Sequence, residues 1–207
     1  MASPGKRRYV SEVRERGAEQ TRQRVLDASR ELFMRSGVDG VTIAQIARRA
    51  KVSVPTVYAL YQSKEGILHA IMEATLFGPA FQEALATLTG VTDPVRLIAL
   101  SAHVARAIYE SESSALGLMR GVSAFSPALR NAEREFEGMR YGMQEERLRL
   151  LFAESKAKKG LSFDKARRIL WMYTSRDIYR MLVEEGGWTP AEYEAWLAET
   201  LVATLVE

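Results

Sequence analysis

Residues 42–64 read TIAQIARRAKVSVPTVYALYQSK, and this stretch holds two short helical patterns joined by a tight turn. Thr42 is followed three residues later by Gln45, which is the spacing of a capping box, so we expect the first helix to begin there. Ser53 is a favourable N-cap for the second helix, and Pro55 fits its first turn because no N–H is needed there. Two short helices in this order are typical of a helix-turn-helix.

Each of the two predicted helices has an inward and an outward face. The inward residues are Ile46, Ala47, Ala50, Val57 and Leu60. Ala47 is small enough at the crossing point to let the helices meet at a steep angle. The second helix then projects Val54, Pro55, Thr56 and Tyr58 outward. Because the N-terminal residues of such a helix contact base edges in the major groove, the stretch predicts a DNA-binding element.

The outward residues define what this element could recognise. Thr56 can hydrogen-bond a base or a phosphate, whereas Val54 and Pro55 can only contact thymine methyl groups or exclude other groups. Lys64 opens the next predicted helix, where its charge and the free amide groups could hold a phosphate. For Tyr58 we favour a phosphate contact and for Tyr61 a place in the core.

Residues 24–64 resemble the DNA-binding domain of the TetR family of transcriptional regulators. The resemblance is carried by VLDASRELFMRSG, TIAQIA, VSVPTVYALY and SKEGIL. It implies a one-component repressor that releases DNA on binding a small molecule, with Thr42, Tyr58 and Lys64 at backbone-contacting positions. Lys51 stands where the family often has glycine, and Leu60 where a second aromatic ring is common. The DNA-binding candidates are therefore Thr42, Ser53, Val54, Pro55, Thr56, Tyr58 and Lys64.

Charge is distributed unevenly along the chain. Residues 1–64 contain 13 lysines and arginines against 6 acids, a net charge of +7, and the rest carries −4. A basic region around a helix-turn-helix suits phosphate attraction. The chain has no cysteine, no signal-peptide pattern and no apolar run long enough for a membrane span, so we expect a soluble, cytoplasmic protein without disulfides, metal or cofactor.

The remaining pattern predicts an all-α fold of about nine helices, because no segment alternates with period two. We expect a helix from Thr21 to Gly37, one from Lys64 to about residue 89 that Pro79 kinks or breaks, and one from Pro94 to about Ser111. Further helices are expected over about 113–122, from Pro127 to about Lys159, from Ser162 through Gly187, and from a capping box at Thr189 to about Leu205. The predicted domains are a basic arm at 1–20, partly disordered or a short helix, a helix-turn-helix domain at 21–66, and a helical effector-binding and dimerisation domain at 67–207.

A helix-turn-helix protein of this size usually binds a near-palindrome as a two-fold dimer. The last two helices are the candidates for a homodimer interface. In the final helix Leu197, Leu201 and Leu205 recur every four residues beside Trp196 and Val202, and the helix before it holds Trp171, Tyr173, Ile178 and Met181. Packing of these stripes onto the same chain is the alternative.

An effector pocket in the second domain would take an apolar or aromatic molecule, since methionine adapts its shape to such ligands. The candidates are His103, Met119, Phe125, Met139, Met143, Trp171, Tyr173 and Asp177. Ordinary core packing is the alternative for the methionines and aromatics. Asp177 falls within an apolar stripe, and an ion pair with Arg180 is favoured over ligand binding there.

Three hypotheses for the function follow from the sequence. The first is a dimeric repressor that binds a double-stranded operator and is released by an effector. The second keeps the DNA-binding domain but gives the rest of the chain only dimerisation or protein docking. The third is an enzyme, which is disfavoured because the chain lacks a glycine-rich phosphate loop, a metal-spaced histidine set and a cysteine nucleophile.

Overall fold

The computed structural model describes residues 4–110 and 126–207, with side chains from residue 16 onward. In chain order the helices are α1 (Pro4–Ser36), α2 (Ile43–Ala50), α3 (Val54–Tyr61), α4 (Lys64–Leu76), α5 (Pro79–Ala86), α6 (Pro94–Glu110), α7 (Pro127–Met143), α8 (Glu145–Ala153), α9 (Phe163–Tyr173), α10 (Arg176–Tyr179), a π-helical turn (Arg180–Glu185) and α11 (Pro190–Leu205). The described residues contain no strand beyond one isolated antiparallel bridge between Ala157 and Val206. The all-α prediction is confirmed. The helix expected over about 113–122 lies outside the described residues.

The chain divides into two compact units. Among the described residues, the N-terminal unit comprises 4–72 and 126–132, and the C-terminal unit comprises 73–110 and 133–207. The N-terminal unit buries Val25, Phe33, Ile46, Val57, Ile67 and Leu68. The C-terminal unit buries Ile98, Leu148, Leu151, Leu170 and Tyr193. Each unit therefore has its own apolar core. None of the helices in 4–110 or 126–207 has the length and apolar character needed to cross a bilayer.

Helix α1 is longer than the pattern predicts. It begins at Pro4 rather than Thr21 and continues through Gly17 without interruption. One glycine inside a helix costs only about 1 kcal/mol relative to alanine, which the good helix formers around it offset. The Thr21 hydroxyl also donates to the Gly17 carbonyl over 2.8 Å. A single glycine at position 17 therefore does not end this helix.

The break at Pro79 is confirmed, and it separates α4 from α5. Gly78 serves as N-cap of α5 with φ −70° and ψ −166°, and Pro79 takes the first position, where its missing N–H costs nothing. The Phe77 ring then lies 4.9 Å from the Phe81 ring, centroid to centroid. Asp93 caps α6, since its Oδ1 accepts the Val95 N–H over 3.1 Å.

The helix expected from Pro127 to about Lys159 is two helices, α7 and α8, interrupted at Gln144. The Gln144 side chain is buried and its Nε2 donates to the Thr174 hydroxyl over 2.7 Å, a long-range contact that the local pattern does not contain. Helix α8 ends at Ala153 because Ser155 adopts a left-handed φ of 55°. The Lys156 N–H then donates back to the Leu151 carbonyl over 3.1 Å, which closes the last turn.

The helix expected from Ser162 through Gly187 is likewise broken, at Thr174. Its hydroxyl donates to the Leu170 carbonyl over 2.7 Å, and its own carbonyl accepts the Tyr109 hydroxyl over 3.1 Å. Ser175 is extended, and α10 and the π-helical turn follow in a new phase. This change of phase moves every later residue off the face that a continuous helix would give it.

The final helix, α11, begins with the capping box predicted at Thr189, whose hydroxyl accepts the Glu192 N–H over 3.2 Å. Leu197, Leu201 and Leu205 are all fully buried, and α11 makes its main contact with α6 of the same chain. These three leucines therefore pack within the chain, which is the alternative given for the stripe, and a homodimer through the last two helices stays a prediction.

Candidate nucleic-acid interface and effector cavity

The helix-turn-helix is formed by α2 and α3 in the N-terminal unit. Ile46, Ala47, Ala50 and Val57 are buried as predicted, while Leu60 is half-buried. The small Ala47 side chain, 2 % exposed, leaves room for the close contact of the two helices. Burial of these residues fixes which face of α3 points away from the core.

Hydroxyl groups cap both helices. The Thr42 hydroxyl accepts the Gln45 N–H over 3.3 Å, and the Gln45 carboxamide oxygen accepts the Thr42 N–H over 2.7 Å, so the predicted capping box is present. Ser53 Oγ accepts the Thr56 N–H over 3.2 Å and lies 2.7 Å from Thr56 Oγ1. One hydroxyl hydrogen of that pair bonds the other oxygen, which leaves one donor for an incoming group.

The turn between the helices is built around Lys51, which adopts the left-handed conformation at φ 56° and ψ 46°. The Val52 N–H donates to the Ala47 carbonyl over 3.0 Å and the Lys51 N–H to the Arg48 carbonyl over 3.3 Å. A non-glycine residue here costs about 1 kcal/mol. The turn between the two helices therefore carries an exposed positive charge, which a glycine at this position would not provide.

The outward face of α3 is open to solvent. Tyr58 is 50 % exposed and Val54 37 %, Pro55 is also exposed, and Thr56 is half-buried. Arg48 and Lys51 are exposed as well, at the end of α2. These two cations were not among the predicted DNA contacts. Their position outside the set of inward residues of TIAQIARRAK could have indicated that they are exposed. The outward residues of α3 thus present apolar and hydroxyl groups, and exposed cations lie at the end of α2 and in the turn before α3.

Lys64 and Tyr61 hold this unit together. Lys64 Nζ donates to the Val41 carbonyl over 3.1 Å and to the Asp39 carbonyl over 3.5 Å, so it braces the turn before α2 while one of its three protons stays available. The Tyr61 hydroxyl donates to the Arg22 carbonyl over 3.2 Å, and burial raises the pKa of that hydroxyl. Tyr61 is thus a packing residue of α1 and α3.

A capped pair of short helices with an exposed, positively flanked second helix defines a helix-turn-helix DNA-binding domain. Residues 25–71 match the family model for bacterial regulatory proteins of the tetR family. Over these residues the chain is similar to the N-terminal domain of that family. The proteins that this model describes are regulatory proteins.

Similar proteins cover different shares of the chain. The HTH-type transcriptional regulator SrpR of Pseudomonas putida is 44 % identical over 55 residues, which span 27 % of this chain and 26 % of SrpR. The chain thus matches about a quarter of that relative. NalD of Pseudomonas aeruginosa, a secondary repressor of the MexAB-OprM multidrug efflux pump, superposes with a TM-score of 0.70 at 23 % identity and covers 93 % of this chain and 98 % of its own. SmeT in complex with triclosan gives a TM-score of 0.67 at 22 % identity, covering 90 % of this chain and 92 % of its own.

The C-terminal unit contains a cavity between α5, α6, α7, α8 and the end of α9. Apolar side chains line part of it: Phe81, Leu85, Val104, Ala105, Ile108 and Met143. Polar side chains line the rest: Ser101, Arg140, Gln144, Arg147 and Thr174. The space among them totals about 320 Å³, a volume that includes the opening to solvent. The enclosed part in which the centre of a water molecule can lie has a volume of only about 20 Å³. The enclosed part holds about one water in this conformation.

Of the effector candidates predicted from the sequence, Met143 lines this cavity. His103 instead pairs through Nδ1 with Glu194 over 3.1 Å, and Tyr173 packs against the Trp196 ring with centroids 6.4 Å apart. Met139 is exposed, and Trp171 lies under the Arg140 guanidinium at 5.3 Å. None of these four is among the residues that line the cavity. Met119 and Phe125 lie outside the described residues.

Asp177 is not in an apolar stripe. Its side chain is 77 % exposed and lies 3.6 Å from Arg180 Nε, the ion pair that was the favoured interpretation. The break at Thr174 is the physical reason, because it rotates α10 out of the phase on which the stripe was projected. No buried acid has to be neutralised there.

The sequence did not predict two buried arginines that form part of the cavity wall. Arg140 donates to the carbonyls of Trp171 and Thr174, over 2.8 and 3.1 Å, and pairs with Glu137 over 2.6 Å. Arg147 donates to Ser101 Oγ over 2.9 Å. In the sequence both arginines sit among polar residues of long helices, so nothing in the local pattern separates them from surface cations.

Of the two arginines, Arg147 has fewer partners that compensate its buried charge. It is 8 % exposed, and among the described residues no carboxylate pairs with it. Burial lowers the pKa of its guanidinium from 12.5 to about 10, and no opposing charge offsets that shift. At neutral pH the group is therefore a buried cation, which is unfavourable unless an anion joins it.

Proposed function

We propose that this chain is a dimeric transcriptional repressor that binds a near-palindromic operator through α2 and α3 and is released when a small molecule enters the C-terminal unit. The observation that carries the proposal is the exposed outer face of α3 on a capped, buried helix-turn-helix. The match of residues 25–71 to the tetR family supports it. The SrpR and NalD comparisons point the same way, since both relatives are regulators.

Dimerisation follows from the small reach of one helix-turn-helix. Two copies contact successive major grooves about 34 Å apart, which mirrors the two-fold symmetry of a near-palindrome. Since the leucine stripe of α11 is buried internally, we assign the interface to the outer side of α9–α11. Met172 and Met181 are exposed there, and Trp188 packs edge-on against Trp196 with centroids 5.8 Å apart. Aromatic and methionine side chains are typical of such interfaces.

Control by a small molecule rests on the cavity of the C-terminal unit. SmeT, which is similar over most of the chain, is known in complex with triclosan. An effector would favour one of two conformations in which the spacing of the two DNA-binding units differs. Because the enclosed space admits about one water here, the effector must displace side chains, Met143 at the mouth among them.

The test is to recover genomic DNA fragments retained by the purified protein and to measure its affinity for the recovered sequence. We expect a near-palindrome bound by two chains, with Thr56→Ala lowering the affinity because the hydroxyl that can hydrogen-bond a base or a phosphate is removed from α3. Thr87→Ala is the matched control, since that hydroxyl bonds the Ala84 carbonyl over 2.6 Å in the C-terminal unit. Failure to retain any fragment would contradict the proposal.

The small free volume favours a second candidate, in which the C-terminal unit only dimerises or docks a protein. Under that alternative the cavity is a packing defect filled by side chains. A thermal-shift screen of small molecules separates the two. A compound that raises the melting temperature and releases DNA supports effector control, while a cavity that accepts none supports the alternative.

A further inference from the structure

The cavity of the C-terminal unit has a polar wall that the protein leaves incomplete. Gln144 Nε2 donates to the Thr174 hydroxyl over 2.7 Å, and that hydroxyl donates its own hydrogen to the Leu170 carbonyl over 2.7 Å. Since the hydroxyl has no second hydrogen, Gln144 must present its nitrogen there. Its Oε1 is buried without any hydrogen-bond partner among the described residues.

Arg147 adds an uncompensated charge to the same wall. It follows Gln144 by three residues, so the two side chains lie on one face of adjoining helices. Arg147 Nη1 donates to Ser101 Oγ, a neutral group that is 2 % exposed and that cannot balance a charge. Arg140 on the same wall differs, because Glu137 lies 2.6 Å from its guanidinium.

Helix α6 supplies an apolar surface to the same cavity. Val104, Ala105 and Ile108 line it at helical spacing, and Phe81 and Leu85 of α5 line it as well. An apolar surface that shares a cavity with a buried, unpaired cation matches a molecule that is apolar over most of its length and anionic at one end. The cavity thus favours a ligand with one charged end, whereas the sequence predicted an apolar or aromatic effector.

We propose that the effector is an anionic amphiphile, a carboxylate or a group of the same charge and shape, whose acidic end pairs with Arg147 and whose apolar part lies against α5 and α6. This inference rests on the proposed function and deepens it. A planar carboxylate accepts two parallel hydrogen bonds from a guanidinium. A hydroxyl or N–H next to the acid would satisfy Gln144 Oε1, so we expect hydroxylated or amide-bearing acids to bind better than plain ones.

The experiment uses the full chain and two matched sets of probes. These are decanoate, decan-1-ol and decylammonium, and 4-phenylbutyrate, 4-phenylbutan-1-ol and 4-phenylbutylammonium. Dissociation constants are measured by calorimetry at neutral pH. We expect at least one carboxylate to bind about ten- to a hundredfold more tightly than its alcohol, the gain typical of a charge-assisted hydrogen bond, and the ammonium compounds to bind most weakly. Alcohols that bind as tightly as their acids, or the absence of binding in both sets, would overturn the proposal.

Variants identify the residue responsible. Arg147→Met should abolish the preference for carboxylates while leaving alcohol binding within about twofold, because the side-chain volume is kept. Arg149→Met is the matched control, since Arg149 lies two residues away with its side chain 62 % exposed and paired with Glu145. Arg147→Lys keeps the charge but not the forked geometry, and should keep part of the preference.

A second readout separates ligand binding from a structural role. If Arg147 is held for a ligand, the ligand-free Arg147→Met variant should melt at or above the wild-type temperature, because a buried unpaired charge has been removed. A lower melting temperature together with equal loss of acid and alcohol binding would assign Arg147 to the fold and sink the proposal. DNA release is measured separately. Wild-type protein that binds the acids but no DNA would refute the proposed function and leave the ligand class standing.

Discussion

At the scale of single residues, the C-terminal unit buries polar groups with unequal compensation. Arg140 has a carboxylate and carbonyls within hydrogen-bond distance, whereas Arg147 has a hydroxyl and Gln144 Oε1 has nothing among the described residues. Unsatisfied buried groups reduce stability, so each of them calls for an explanation. Their position in one cavity wall is what distinguishes them from scattered packing defects.

Tyr193 is a similar case, although it is not among the residues that line the cavity. Its ring is fully buried and lies 4.9 Å from the Tyr179 ring, and its hydroxyl has no hydrogen-bond partner among the described residues. Tyr193→Phe removes that hydroxyl and keeps the ring. An unsatisfied buried hydroxyl costs about 1–3 kcal/mol, so we expect the free energy of unfolding to rise by about 1 kcal/mol in urea titrations at pH 7. A fall of that size would mean that the hydroxyl has a partner.

The buried Tyr193 hydroxyl should also make the stability of the protein depend on pH. Burial raises the pKa of Tyr193 well above its ordinary value of 10.0. Above pH 10 the unfolded chain therefore loses this proton while the native protein keeps it, so the native state binds more protons and stability falls as pH rises. Tyr193→Phe should flatten that fall between pH 9.5 and about 11. Equal slopes for wild type and variant in urea titrations across this range would contradict the assignment.

At the scale of elements, the sequence predicted those helix boundaries that local chemistry determines. Thr42, Ser53 and Thr189 cap helices as expected, and Pro79 and Asp93 mark breaks and starts. These signals depend on atoms within three or four residues, which a sequence displays directly.

Interior interruptions were not predictable, because distant residues cause them. Thr174 breaks its helix while Tyr109, Arg140 and Gln144 occupy its carbonyl and hydroxyl from 65, 34 and 30 residues away. The projection that placed Asp177 in an apolar stripe assumed a continuous helix and failed for this reason. The cavity wall could not be predicted for the same reason, because Arg147 becomes a buried cation only when α6 and α8 pack together.

The two capping boxes allow a matched test of the DNA-binding element. Thr42→Ala and Thr189→Ala each remove the side-chain acceptor that caps a helix, α2 in one case and α11 in the other. Each should lower the free energy of unfolding by about 1 kcal/mol. We expect Thr42→Ala alone to weaken DNA binding, because α2 positions α3 and Thr42 is a proposed phosphate contact. If Thr189→Ala weakened operator binding as much in fluorescence anisotropy, general stability rather than the local cap would explain the loss.

At the scale of the whole molecule, the division of charge matches the division into units. The first 64 residues carry a net charge of +7 and the remainder −4, so attraction to DNA is concentrated in the unit that contains the helix-turn-helix. The acidic balance of the rest disfavours non-specific binding of that part to the same polyanion. The charge pattern thus agrees with one DNA-binding face per chain and a second unit with another task.

The salt dependence of operator binding tests both the charged contact and the number of chains. The logarithm of the association constant should fall steeply with the logarithm of the salt concentration, because bound cations are released from phosphates. Lys64→Ala removes one cation per chain, so the slope should decrease by about two if two chains bind one operator and by about one if a single chain binds. Lys159→Ala is the matched control, since Lys159 is 89 % exposed in the C-terminal unit and pairs with Glu207 over 2.8 Å. An unchanged slope for Lys64→Ala would show that its bonds to the Val41 and Asp39 carbonyls are its whole role. A change near one, with chains counted by sedimentation on the same fragment, would refute the dimer.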